Sequence, residues 1–175
     1  MPKILECTRE TMLEIAKKSF LEHGYEAFTI RDVAKECGVS VGTIYSHFPS
    51  KEALMTQAVV EEWRGMLSEI KARLPGIGAA SDAMKYLYES IFSFNQKFHG
   101  YCTRTRQSEK EKQESEARLQ IQLQQVTQLV EIIAPQTAAS PGLSTFIADA
   151  LLSSCVRGVF PYEKIAPFIE KLSKD

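Results

Sequence analysis

Within the eight residues SVGTIYSH, positions 40–47, the chain carries three hydroxyl side chains at Ser40, Thr43 and Ser46, a phenol at Tyr45 and an imidazole at His47. No carboxylate occurs from Gly38 to Ser50, and Lys51 follows. Hydroxyl, phenol and imidazole tips on an anion-free surface hydrogen-bond the oxygens of phosphates and the edges of bases. Gly42 sits among them, although a glycine inside a helix costs about 1 kcal/mol relative to alanine. Val41, Thr43, Ile44 and Tyr45 also lose rotamer freedom in a helix. The composition therefore suits close approach of backbone to a partner better than it suits helix stability.

Other chemistries find little support. The three histidines, His23, His47 and His99, have no nucleophile at a recognisable spacing, and no glycine-rich phosphate loop is present. Cys7, Cys37, Cys102 and Cys155 form no CxxC and no Cys/His pair at metal-ligand spacing, so free thiols are expected and neither a metal nor a cofactor is implied. An enzyme is not expected.

The elements that must position these residues are helices, because apolar residues recur at three and four and no alternating strand pattern appears. Met12, Ile15, Ala16, Ser19 and Phe20 stripe a first helix from Arg9, which HGY at 23–25 stops. Thr29 caps a second, with Asp32 as a shortened capping box, and Gly38 ends it after about eight residues. Ser40 caps a third, Pro49 ends it, and Ser50 caps a fourth that runs to about Leu74. Two short helices joined through CGVS read as a helix-turn-helix, and the N-terminus of the third adds backbone N–H groups for phosphate. The break PGIGAAS precedes an aromatic-rich helix at 82–99. A long helix from about Thr105 to Ala134 follows, its first half polar all round and compatible with a solvated helix or a loop. An apolar helix at about 143–159 and a short one at 162–173 complete the chain. The expected architecture is all-α, with domains at 1–55 and 56–175.

Bulk numbers describe an ordinary globular protein: 175 residues, 44% hydrophobic, 25% charged, net charge −1. Residues 1–55 hold seven Lys or Arg against eight Asp or Glu, so overall charge argues against nucleic acid and only the local distribution argues for it. The opening MPKILECTRE lacks the apolar core of a signal peptide and no run of about 18 apolar residues occurs, so a cytoplasmic location is expected.

The run FTIRDVAKECGVSVGTIYSHFPSKEAL, preceded by AKKSFLEHGY, resembles the N-terminal DNA-binding domain of the TetR family of bacterial transcriptional regulators. The resemblance covers residues 9 to about 55 through Phe20, Gly24, Tyr25, Thr29, Ile30, Ala34, Gly38, Val39, Ser40, Gly42, Tyr45, Phe48, Lys51 and Leu54. It implies that Thr29, Ser40, Thr43, Tyr45, His47 and Lys51 touch DNA, largely at phosphates, with Val41 and Gly42 on the same face. His47 stands where many members carry Tyr, and Cys37 where Ala is common.

From position 56 onward the family architecture implies a bundle that receives a small-molecule effector and pairs with a second copy of the chain. The stretch 86–101, YLYESIFSFNQKFHGY, is rich in aromatics. An apolar or aromatic effector pocket is expected from Tyr88, Ile91, Phe92, Asn95 and His99, joined by Trp63 and Met66 of the fourth helix. Leu143, Ile147, Ala150, Leu151 and Ser154, with Ile165, Phe168 and Ile169 of the last helix, are expected at the dimer seam. A palindromic operator asks for such a homodimer, since half-sites lie about 34 Å apart. The expected function is a ligand-responsive repressor; the alternative is a helical small-molecule-binding or interaction protein without sequence-specific DNA binding.

Overall fold

The computed structural model describes residues 7–104, 109–135, 137, 140, 142–157 and 161–172. Eight α-helices occur among them: α1 (Arg9–Ala27), α2 (Ile30–Cys37), α3 (Val41–His47), α4 (Lys51–Arg73), α5 (Ala80–Arg104), α6 (Glu109–Ile133), α7 (Leu143–Arg157) and α8 (Tyr162–Leu172). No strand is present among the described residues, so the fold is all-α as the periodicity requires. The chain divides into two compact units, Met1–Gly65 and Met66–Asp175, the division falling inside α4.

In the first unit each helix end has a local cause. The Thr8 and Thr29 hydroxyls accept from the backbone N–H groups of Thr11 and Asp32, and Ser40 Oγ accepts from the Thr43 N–H at 3.1 Å. The capping box of α2 closes differently from the usual form: the Thr29 hydroxyl itself donates to Asp32 Oδ2. Gly24, at φ +77°, kinks α1 where HGY was expected to stop it, and one further turn leads to Ala27. Gly38, at φ +69°, ends α2 with its N–H shared between the carbonyls of Ala34 and Lys35. Met12, Ala16, Phe28, Val33, Ile44, Phe48 and Leu54 fill the core. Helix α1 packs on α2, and α2 on α3.

In the second unit α5 packs against α6, α7 and α8, and α6 against α7. Met84, Leu87, Ile91, Phe98, Leu129, Ile147 and Leu151 are buried between them. Helix α5 is longer than the pattern suggested, passing through Gly100 to Arg104, and burial of Tyr101 accounts for the extension. The polar half of α6 is helical from Glu109, with exposed residues at 113, 114, 116 and 117, so it is a solvated helix; 105–108 lie outside the described residues. Thr137 and Ser144 are buried and share a hydrogen bond at 3.0 Å, which satisfies both hydroxyls at the turn into α7. No helix among the described residues is long and apolar enough to cross a membrane.

Candidate nucleic-acid interface

Helix α3 is held from one side only. Ile44 is fully buried and Phe48, just after the helix, is buried beside it, while Val41, Gly42, Tyr45, Ser46 and His47 are exposed and Thr43 is half-buried. An exposed valine and a tyrosine with 49% of its surface accessible leave a partly apolar face outward. Gly42 has no internal reason to be glycine: its φ is not positive, and an added Cβ would meet only Ser40 Oγ, at the ordinary contact distance of 3.6 Å. What it provides is space on the outside of the helix.

The hydroxyls at the start of α3 are ordered before any partner arrives. Ser40 Oγ and Thr43 Oγ1 lie 2.9 Å apart, and Ser46 Oγ donates to the Thr43 carbonyl at 2.7 Å. Each hydroxyl has one proton, so the Ser40–Thr43 pair uses one between its members and keeps one to donate outward. Thr29 occupies the equivalent cap of α2, with its own proton given to Asp32.

Lys51, expected at phosphate, is held from behind. Its Nζ donates to the Tyr25 carbonyl at 2.6 Å and lies over the Tyr25 and Phe28 rings, 4.4 and 5.2 Å from their centroids. Burial lowers its pKa from the usual lysine value, with the neighbouring Glu52 carboxylate opposing. The Tyr25 hydroxyl donates to Glu52 Oε1 at 2.9 Å. The Glu52 backbone N–H, then bonds from Ser50 and Tyr25, hold that carboxyl below its ordinary pKa against the effect of burial. These contacts tie the start of α4 to the corner after Gly24, and an ammonium with three N–H groups retains donors for a phosphate. Tyr25 and Glu52 were not singled out for this in the sequence, because their partners lie some 26 residues away and no local spacing encodes them. Arg9 is a further such residue, its guanidinium 5.1 Å from the Phe48 ring centroid.

The expected effector residues fall at varied depths. In the second unit Tyr88 and Ile91 are buried, Phe92, Asn95 and Met66 half-buried, and His99 exposed. Tyr88 stacks on Phe92 at 6.0 Å and tilts against Tyr162 at 5.3 Å, and Asn95 Nδ2 donates to the Ile91 carbonyl. Trp63 is buried in the first unit. A cleft of about 530 Å³ in the second unit is lined instead by Lys71, Leu74, Ile77, Ala83, Ile132 and their neighbours. Of the expected seam residues, Ile147, Leu151 and Ser154 are buried by their own chain, and Leu143, Ala150 and Ile165 are half-buried. The side chains of Phe168 and Ile169 lie outside the described residues. Phe146, which the sequence did not single out, is 65% exposed.

A three-helix unit whose second and third helices meet through a left-handed glycine, with an exposed and anion-free third helix, is a helix-turn-helix domain. Residues 12–58 match the family model described as bacterial regulatory proteins, tetR family, so this N-terminal segment is a DNA-binding domain of the TetR type. The HTH-type transcriptional regulator UidR of Escherichia coli K12 is 31% identical over 93 residues, which are 53% of this chain and 45% of UidR. The match thus spans about half the length of that curated relative. Solved structures share the fold over nearly the whole chain. A putative transcriptional regulator from Rhodococcus sp. RHA1 gives a TM-score of 0.71 at 14% identity, covering 96% of this chain and 95% of its own. FadR of Bacillus subtilis, in complex with stearoyl-CoA, gives 0.61 at 17% identity, covering 95% and 98%.

Proposed function

We propose that the protein is a transcriptional repressor that binds a palindromic operator as a homodimer and is released by a small apolar or aromatic effector. The observation that carries the DNA-binding part is Gly42: a glycine within a helix, with nothing packed on it, beside exposed Val41 and Tyr45. A solvated helix face has no use for that combination, whereas a face that enters the major groove needs small and apolar residues there. Thr29, Ser40, Thr43, Tyr45, His47 and Lys51 serve as backbone and base contacts, and Val41 and Gly42 as the close-approach surface. For the effector, the aromatic face of α5 supplies an apolar wall and Asn95 and His99 supply polar groups, with Met66 of the same unit beside them in the assignment; Trp63 belongs to the first unit. A structural neighbour solved with stearoyl-CoA supports a small-molecule ligand in this fold. The dimer is assigned to α7 and α8.

The test is a gel shift on the DNA upstream of the protein's own gene, with Tyr45→Ala beside the parent. The variant should bind operator and random DNA alike more weakly, by about 1 to 3 kcal/mol, with helicity unchanged. Equal affinities at matched salt would refute the assignment of α3.

A further inference from the structure

The connection from α4 to α5 builds a cleft that the effector assignment on α5 does not use. Arg73 ends α4, Leu74–Gly76 form a single 3-10 turn, and the Ile77 N–H closes that turn onto the Leu74 carbonyl at 3.1 Å. Leu74 is buried, so the turn is anchored. The cleft is lined by Leu74, Ile77 and Ala83 together with Ile132 and Ile133 from the end of α6, and its volume of about 530 Å³ lies within the range of about 300 to 1,000 Å³ that small-molecule sites occupy. Gly78 leaves space beside it: a Cβ added there would meet nothing within 4 Å. Every lining residue belongs to the second unit, and Tyr88, Ile91, Phe92, Asn95 and His99 are not among them.

Two observations say what fills such a space. Ile132 is 56% exposed, so its apolar surface stays in water unless something covers it. Among the described residues Lys71 is the one charged group that lines the cleft, and no carboxylate lines it. The nearby cation is already engaged, since Arg73 pairs with Glu69 at 3.0 Å and its guanidinium lies 5.6 Å from the Tyr86 ring centroid. Lys71 has no carboxylate partner among the described residues. An ammonium beside apolar walls favours an anion with an apolar body, because the head meets the charge while the body covers the isoleucines. An amine would meet a like charge.

We propose that this cleft is a binding site for a small apolar carboxylate, its head on Lys71 and its body against Ile77 and Ile132. A bound molecule joins the last turn of α4 to the start of α5 and the end of α6. The site is separate from the effector assignment on α5 and independent of the DNA-binding reading.

The experiment titrates phenylbutyrate into the full chain by isothermal calorimetry at low salt, beside phenylbutanol and phenylbutylamine, which carry the same body on a neutral and a cationic head. The acid should bind one to one and most tightly, and the amine most weakly. Lys71→Met keeps an apolar stem and removes the charge, so it should weaken the acid by roughly fivefold and leave the alcohol unchanged. Ile132→Glu, at a position exposed enough to accept a carboxylate, should weaken the acid as well, whereas Ile132→Lys should not; circular dichroism checks that each variant keeps its helices. Phe92→Leu should leave the acid's affinity unchanged. No binding of the acid, equal binding of acid and alcohol, or an affinity that Lys71→Met and Ile132→Glu leave untouched would each overturn the proposal. An affinity lost with Phe92→Leu and kept with Lys71→Met would also overturn it, and would place the ligand on the aromatic face of α5 instead.

Discussion

At the scale of single residues, the exposed face of α3 separates what a side chain does for the fold from what it offers a partner. Gly42 shows the distinction most sharply, since it weakens the helix and packs against nothing. Gly42→Ala should raise stability by about 0.5 to 1 kcal/mol, because the helix gains propensity and the new methyl meets only Ser40 at an ordinary distance. If α3 enters the groove as proposed, the same change should lower operator affinity, because the methyl fills the space over Gly42. Thermal melting paired with anisotropy on operator DNA checks both halves. A variant that gains stability and keeps full affinity would show that the space over Gly42 is not used. Lys51 illustrates the opposite case, a residue expected at phosphate whose ammonium also braces the Tyr25 corner, so its loss alters fold and contact together.

At the scale of elements, the corner between α2 and α3 depends on a backbone conformation that other residues reach only with strain. Gly38→Ala at φ +69° should cost about 1 to 2 kcal/mol, and affinity for DNA should fall with it as α3 loses its setting. Equilibrium unfolding in urea measures the first effect, and a variant as stable as the parent would contradict the left-handed assignment. Caps of this kind were legible in the sequence because they are written within three residues: Thr29 with Asp32, and Ser40 with Thr43. At Gly24 the sequence marked a break but read it as a stop, where α1 kinks and continues to Ala27. Other features were not legible, since they depend on what lies across the fold. The sequence pattern placed the aromatic-rich helix at 82–99, yet α5 runs on to Arg104 because Tyr101 is buried beyond that end. The bracing of Lys51 by Tyr25 joins positions that share no local pattern. On α7, periodicity marked an apolar side without telling which residues the chain itself covers.

At the scale of the whole molecule, that last point decides how dimerisation is tested. Ile147 is 1% exposed within its own chain, so a charge there would disrupt the single subunit. Phe146, at 65% exposed, is the position to change. If α7 and α8 form the seam, Phe146→Glu should shift the protein from dimer to monomer in sedimentation at micromolar concentration, with the helical content retained; a dimer of undiminished stability would place the seam elsewhere. The interior of the same unit offers a measurement of another kind. Cys155 Sγ donates to the Tyr88 carbonyl at 3.7 Å, and burial pushes its thiol up to about 12. In the native state it should resist alkylation, because the reactive form is the thiolate and reagent cannot enter. Each alkylation of Cys155 then records one opening of the α5–α7 packing, so its rate serves as a clock for unfolding. Read by peptide mass spectrometry across a denaturant series, that clock should slow when any effector binds the second unit. The buried thiol thus gives a way to search for the effector without knowing the operator.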